Sequence, residues 1–258
     1  MNASLKFLGR QHSVAEALRA LETAKAHFPR VTFDLIYARA GQSLDAWKRE
    51  LSQALDFDTE HLSLYQLTIE PGTPFAERFA AGGLTVLDED ATADLFALTQ
   101  ELTAAAGRPA YEISNHARPG AESRHNLIYW RYRDYAGIGP GAHGRVTTEG
   151  ELRATAEKRS PEAWLQAIES QGTALSEDLA VSREDRATEA LMMGLRLKEG
   201  LDLAAFEART GRSLAQTVDQ RALDWLKDDG LIAEEAGRLR LTQKGWPLLN
   251  SVTGSLLS

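Results

Sequence analysis

The sequence contains no cysteine among its 258 residues. This absence excludes disulfide bonds, thiolate zinc sites, cysteine nucleophiles and a cysteine-ligated iron–sulfur cluster. Basic residues are fewer than acidic ones, with 29 Lys and Arg against 37 Asp and Glu, which gives a formal charge of −8. We therefore expect no nucleic-acid partner. Charged residues interrupt the apolar positions of the first thirty residues. We expect no signal peptide, no integral membrane segment and a cytoplasmic location.

Hydrophobic patterns predict an α/β fold for the first part of the chain. Helices are predicted over 13–28, 44–55 and 88–106, and strands over 31–38, 61–69 and 109–114. This alternation predicts parallel strands joined by right-handed crossovers. A parallel sheet needs cover on both faces and more than two or three strands, so the α/β part looks incomplete on its N-terminal side.

Residues 176–258 predict a small helical domain. Helices are predicted over 182–198, 202–209 and 213–229, followed by a hairpin around Gly237 and a last helix after Thr242. This order is typical of a winged helix, which most often binds DNA. The helix over 213–229 carries more acidic than basic residues, whereas a helix that contacts phosphates should be basic. The pattern therefore favours a structural or protein-contact role.

The segment from Ser123 to Arg145 has the most unusual composition. It gathers aromatic residues at 129, 130, 132 and 135, arginines at 124, 131, 133 and 145, and two histidines at 125 and 143. Flat apolar rings with cationic rims suit a planar ligand that carries carboxylates or phosphates. A packed connector whose arginines form surface ion pairs explains the same composition, and composition alone leaves both interpretations open.

The glycines of this segment match the pattern G-x-G-x-x-G over 139–144. We reject a dinucleotide-binding motif, because no buried strand precedes the pattern and no helix begins at its last glycine. Glycines at 137, 139, 141 and 144 instead predict a close approach of the backbone to a ligand or to a neighbouring strand.

Several polar residues lie within or just after the predicted strands. Asp34 lies in the middle of an apolar run, and a buried carboxylate needs a partner, either a structural ion pair or a ligand. Further candidates at strand ends are Gln66, Thr68, Glu70, Glu112 and His116. No two histidines show the spacing of a metal site on one helix.

Six strings of this sequence closely resemble the radical-SAM heme chaperones, a family similar to oxygen-independent coproporphyrinogen III oxidase. They are GRQHS (9–13), FDLIYA (33–38), HLSLYQLTIEPGT (61–73), YEISNHARPG (111–120), HNLIYW (125–130) and YAGIGPGAHGR (135–145). The resemblance runs over essentially the whole chain. It implies a partial (β/α) radical-SAM barrel followed by a winged-helix-like domain. We therefore expect a barrel remnant over 1–114, a connector with a heme motif over 115–175 and the C-terminal domain over 176–258.

The resemblance also implies cofactors and a role. Full-length members bind a [4Fe–4S] cluster and S-adenosylmethionine, and the chaperone branch binds heme and is thought to deliver it to respiratory proteins. The string HNLIYW matches that branch's heme signature, so it assigns His125, Asn126, Tyr129 and Trp130 to heme and His125 to the iron. An imidazole can ligate heme iron, aromatic rings can cover the macrocycle, and arginines can pair with its propionates. His116 and His143 stay open as alternative ligands.

By matching position, three further residues resemble the family's S-adenosylmethionine contacts. Arg10 would meet the carboxylate of the ligand, Asp34 would accept hydrogen bonds at its strand, and Thr68 would offer backbone contacts to the adenine.

The sequence departs from the family in one large way, since the three-cysteine motif that holds the cluster is absent. We therefore expect a chain inactive by itself, arising from a truncated gene or a mis-called start. The strand over 31–38 would then have an unpaired edge, and the residual contacts would line an open trough. Two alternatives to a heme chaperone are a radical-SAM enzyme of the coproporphyrinogen oxidase type and a non-catalytic protein-interaction module.

Overall fold

The strands form small sheets in two separate units of this computed structural model, which describes residues 2–258. The first unit runs to residue 122 and the second covers residues 123–258. None of the helices over residues 2–258 is both long and apolar enough to cross a membrane.

The first unit has a short sheet with helices between its strands. Its elements are α1 (Asn2–Phe7), α2 (Val14–His27), β1 (Thr32–Tyr37), α3 (Leu44–Asp56), β2 (His61–Gln66), α4 (Pro74–Ala80), α5 (Glu89–Ala105) and β3 (Asn115–Ala117). Strands β1 and β2 are parallel, as the strand–helix–strand spacing predicts, with Thr32 opposite His61 and Tyr37 opposite Gln66.

The core of this unit lies between the sheet and helices α3 and α5. Trp47 is fully buried, and its ring stacks on Tyr37 with a centroid distance of 4.8 Å and an interplanar angle of 8°. Its indole N–H donates to Thr99 Oγ1 at 2.8 Å, which satisfies the polar atom of an otherwise apolar side chain. Leu51, Leu62 and other leucines complete this core.

The predicted third strand over 109–114 is wrong. Strand β3 follows it at 115–117 and pairs with β2 in the antiparallel direction. The chain folds back on itself here, because Tyr111 N–H donates to Asn115 O at 3.1 Å and Ala117 N–H donates to Pro109 O at 3.2 Å. The buried carboxylate of Glu112 accepts from Ser114 N–H at 2.9 Å, so it holds this turn.

Strand β1 is an edge strand, as the sequence predicts, because within residues 2–258 it pairs with β2 alone. The prediction that it is buried is wrong, since the side chains of Thr32 and Asp34 are exposed. Helices α1 and α2 bury no residue, although Ser13 and Glu16 form a capping box at the start of α2.

The second unit has an antiparallel sheet and a winged-helix-like end. Its elements are α6 (Arg124–Trp130), β4 (His143–Thr148), β5 (Glu151–Glu157), α7 (Pro161–Gln171), β6 (Leu175–Ala180), α8 (Arg183–Gly194), β7 (Leu201–Asp202), α9 (Leu203–Thr210), α10 (Gln220–Asp228), β8 (Ile232–Glu235), β9 (Arg238–Leu241) and α11 (Leu249–Leu256). Short 3₁₀ turns precede α10 and α11. The sheet β7-β9-β8 packs with these helices around leucines that include Leu191, Leu226 and Leu239.

The sheet β4-β5-β6 was not predicted, and it changes the domain boundaries. The expected boundary at 175/176 falls inside β6, which is hydrogen-bonded to β5, and the expected boundary at 114/115 falls just before β3 of the first unit. The compact units divide instead between Glu122 and Ser123. The predicted connector over 115–175 is therefore shared between the two units.

Two glycines make the start of this sheet possible. A Cβ at Gly137 would lie 2.5 Å from the carbonyl oxygen of His143, and a Cβ at Gly144 would lie 2.5 Å from Thr155 Oγ1. The sequence predicted that these glycines let the backbone approach either a ligand or a neighbouring strand. The contacts show that it is the neighbouring strand.

Candidate functional site

Helix α6 carries the HNLIYW string, for which no helix was predicted. Ser123 caps it, since its hydroxyl accepts from Asn126 N–H at 3.3 Å. The helix ends at Trp130. Tyr132, just after the cap residue Arg131, has a left-handed φ of 48°, and Arg133 N–H donates to Ile128 O at 2.8 Å. This is a Schellman end with tyrosine where glycine is usual.

His125 and Tyr129 share the exposed side of α6, because they are one turn apart. The His125 ring is exposed, and its Nε2 lies 3.1 Å from the hydroxyl of Tyr129. The two rings are perpendicular at a centroid distance of 4.8 Å, and Tyr129 meets Tyr135 edge-on at 4.5 Å. With Nε2 bonded to Tyr129, Nδ1 is the ring nitrogen without a protein partner among residues 2–258.

Trp130 points to another side of the helix. It follows His125 by five residues, which turns it about 140° around the axis. The guanidinium of Arg196 lies 4.5 Å from the centroid of its ring. Its half-buried ring therefore packs α6 against Arg196. The HNLIYW string thus presents His125 and Tyr129 on its exposed side and uses Trp130 to hold the helix in place. Asn126 lies between the two faces and supplies its backbone N–H to the cap.

The arginines of the segment are divided between ion pairs and open positions. Arg145 contacts Glu189 through two nitrogens, at 3.1 and 2.8 Å, and Arg131 contacts Glu199 at 2.9 and 3.2 Å. Arg124 and Arg133 form no ion pair with any of residues 2–258. Arg131 and Arg145 therefore behave as expected for a packed connector whose arginines form ion pairs. The exposed side of α6 with His125 behaves as expected for a ligand-binding surface.

The carboxylate of Glu189 is hydrogen-bonded to both Arg145 and Tyr132. The sequence carries no signal for this residue, because it lies on α8, far along the chain. Burial by itself would raise the pKa of Glu189, but hydrogen bonds from Arg145 and Tyr132 outweigh burial and hold that pKa below its usual range. The hydroxyl of Tyr132 donates to Glu189 Oε2 at 2.7 Å. Burial and this carboxylate raise the pKa of Tyr132, so the hydroxyl stays protonated.

The alternative iron ligands differ in access. His116 lies in β3 opposite Leu62 and is only 1% exposed, so a macrocycle has no room beside it. His143 is exposed at the start of β4 and keeps its place as an alternative.

The chain is similar to known proteins over nearly its whole length. Residues 181–248 match the family model described as HemN C-terminal domain. The chain is 38% identical over 96% of its length to the heme chaperone HemW of Escherichia coli, of which it covers 63%. It is 34% identical over 98% of its length to the mitochondrial radical S-adenosyl methionine domain-containing protein 1 of Danio rerio, of which it covers 59%.

This chain belongs to the HemW-like radical SAM family. The solved structure titled "Coproporphyrinogen III oxidase (HemN) from Escherichia coli is a Radical SAM enzyme" matches 100% of this chain and 62% of that one, with a TM-score of 0.75 and 18% identity. That likeness shows the fold and confirms the predicted α/β class of radical-SAM type with a winged-helix-like end. The chain spans about three fifths of the length of these relatives.

The HemW-like chain has no cysteine, so its residues offer no thiolate to an iron–sulfur cluster. Among residues 2–258, no three His, Asp or Glu side chains meet in a group that could hold a metal ion. These residues do not fit a [4Fe–4S] cluster.

The residues predicted to contact S-adenosylmethionine are only partly brought together. Arg10 and Asp34 line one cavity of about 740 Å³, whose walls are the apolar sides of α1 and α2 and the exposed side of β1. Thr68 is not among its lining residues. It lies exposed in the loop after β2, where its hydroxyl donates to Gln66 O at 3.4 Å.

Asp34 has a different environment from the one expected. It is exposed rather than buried, because α1 and α2 leave an open cavity over this side of β1. Its carboxylate needs no structural ion pair there, which leaves it accessible to a ligand.

Proposed function

We propose that this chain binds heme on the exposed face of α6 and acts as a heme chaperone. The observation that carries the proposal is the exposed ring of His125, whose Nε2 is held at 3.1 Å by the hydroxyl of Tyr129. The name of the Escherichia coli relative, a heme chaperone, supports the same cargo.

The chemistry of the face suits an iron porphyrin. A neutral imidazole is a common axial ligand of heme iron, and a hydrogen bond at one ring nitrogen orients the other. Tyr129 and Tyr135 form an aromatic edge beside His125. Arg124 is exposed next to His125 and has no ion pair within residues 2–258, so it is placed to meet a propionate.

Delivery of heme requires that it can dissociate from α6. A heme held on an open helix surface by one imidazole has its opposite face accessible to an acceptor. We therefore propose transfer of heme to a respiratory protein that supplies its own ligand. A cytoplasmic location stays a prediction, since several relatives are named as mitochondrial.

A hemin titration followed at the Soret band tests the proposal. We expect His125→Ala to weaken hemin binding at least tenfold, or about 1.4 kcal/mol. The matched control is His27→Ala, which removes an exposed histidine from α2. Unchanged binding in His125→Ala contradicts the proposal. If His143→Ala alone abolishes the band, His143 is the ligand.

A weaker proposal concerns S-adenosylmethionine. Arg10 and Asp34 line the same cavity, which supports a residual site for the carboxylate and the polar part of this ligand. Calorimetric titration with S-adenosylmethionine should give heat that Arg10→Gln and Asp34→Asn both reduce. Equal heat in these variants and in the control Arg19→Gln excludes the site.

The alternative of a coproporphyrinogen oxidase-like enzyme is not favoured, because this chain has no cysteine for the cluster that a radical mechanism requires. The alternative of an interaction module has one observation in its favour. Trp225 on α10 is 57% exposed beside the exposed carboxylates of Asp224 and Asp228. Such a surface suits a basic partner, and Trp225→Ala should weaken that partner's binding without changing hemin binding.

A further inference from the structure

A second cavity lies next to α6, on the side of Trp130. It measures about 400 Å³ and is lined by the end of α6 and parts of α8, α9 and β7. One wall is apolar and includes Trp130, Leu197 and Phe206. Because Trp130 points away from His125, this cavity is separate from the proposed heme face.

The polar wall of the cavity carries more positive than negative charge. The lining contains four arginines, at 131, 133, 209 and 238, and two carboxylates, at 199 and 202. Arg131 is paired with Glu199, Arg238 with Asp202, and Arg209 with Asp134 outside the lining. Arg133 has no ion pair with any of residues 2–258, so its charge is available to an anion.

Two side chains at the end of α6 have fixed positions in the lining. The Trp130 ring is half-buried and packs under the guanidinium of Arg196, with its indole Nε1 shielded from solvent. The hydroxyl of Tyr132 donates to Glu189 Oε2 at 2.7 Å. The cavity beside Arg133 therefore has pre-formed walls.

We infer that this cavity binds a small organic anion, a carboxylate or a phosphate monoester with an apolar body. The guanidinium of Arg133 would pair with the anion, and the ring of Trp130, with Leu197 and Phe206, would contact the body. The inference is independent of heme binding, because it uses the other side of α6.

The test follows the indole N–H signals of the full chain by nitrogen-15 NMR, with Trp130→Phe used to assign the Trp130 signal. Phenyl phosphate and benzoate are the two probes, and benzyl alcohol is the neutral control. We expect a saturable shift of the Trp130 signal with at least one anion and none with benzyl alcohol. The tighter of the two anions identifies the phosphate or the carboxylate as the preferred group.

Two variants then distinguish specific anion binding in the cavity from weak binding to surface charges. Arg133→Gln should weaken anion binding at least tenfold, while Arg221→Gln, which removes an exposed charge from α10, should leave it unchanged. Ala205→Leu fills the cavity without changing charge and should also block binding. No saturable shift, or equal binding in Arg133→Gln and Arg221→Gln, overturns the inference. Hemin binding unchanged in Arg133→Gln shows that the two sites are distinct.

Discussion

The two N-terminal helices of the first unit differ from α8 of the second unit in how completely they are buried. In the first unit, α1 and α2 bury no residue and β1 has one paired side among residues 2–258. In the second, α8 alone buries Ala187, Ala190, Leu191 and Gly194. The predicted S-adenosylmethionine residues Arg10 and Asp34 lie on the open cavity of the first unit. The heme string lies in the second, on a helix whose anchor belongs to the same unit. The proposed heme face therefore needs no residue of the open region.

The largest expected effect compares one leucine from a helix of each unit. Leu191 on α8 is fully buried, whereas Leu18 on α2 is 36% exposed. Leu191→Ala should lower the free energy of unfolding by about 2–5 kcal/mol, since it leaves a cavity in a packed core. Leu18→Ala should cost less than about 1 kcal/mol because its side chain already meets water. Urea unfolding measures both, and equal costs would refute the contrast between open and packed helices.

Acid sensitivity sharpens the contrast for the second unit. The folded-state pKa of Glu189 lies below its unfolded value, so its ion pair stabilises the fold above the unfolded pKa. That stability is lost as the pH falls through the lower, folded pKa. Glu189→Gln should cost about 1–2 kcal/mol at pH 7 and less at pH 3, because below the unfolded pKa the unfolded state takes up a proton and part of the stability is lost. Urea midpoints at the two pH values provide the measurement, with Glu149→Gln as an exposed control. An equal cost at both pH values would show that the charge of Glu189 is unimportant.

The smallest effect compares two helix caps. Ser13 caps the open helix α2 and Ser160 caps α7 in the second unit. Each substitution by alanine removes one capping hydrogen bond, for about 1 kcal/mol at its helix. We expect Ser13→Ala to increase amide exchange only within α2, whereas Ser160→Ala also lowers the urea midpoint. Increased exchange beyond α2 in Ser13→Ala would indicate that this helix is better packed than its exposure suggests.

Local signals in the sequence were sufficient for α2, α3 and α5 of the first unit, whereas the short helices α1 and α4 were not predicted. Ser13 and Glu16 fixed the start of α2, and the β1–α3–β2 spacing fixed a parallel pair. The sheet β4-β5-β6 was missed because its strands are polar, although the turn that joins β4 to β5 at Glu149 and Gly150 is local. Helix α6 was missed because its seven residues are too few to show a hydrophobic period.

The sequence named the residues of the candidate site, but it did not give their arrangement. The string HNLIYW identified His125 and Trp130, but only the coordinates separate the exposed ring from the anchor under Arg196. Nothing local links Arg145 to Glu189, since the two residues meet only through tertiary folding. The burial expected for Asp34 failed for a similar reason, because an apolar run looks the same in a central strand and in an edge strand.

The central claim is that heme binds to α6 rather than to the larger apolar cavity of the first unit. Paramagnetic broadening by one equivalent of ferric hemin in nitrogen-15 spectra locates the iron directly, with gallium protoporphyrin as the diamagnetic control. If heme binds to α6, ferric hemin broadens the amide signals of residues 124–130, while the amide signals of Arg10 and Asp34 keep their intensity. Broadening centred on α1, α2 and β1, with residues 124–130 unchanged, would contradict it.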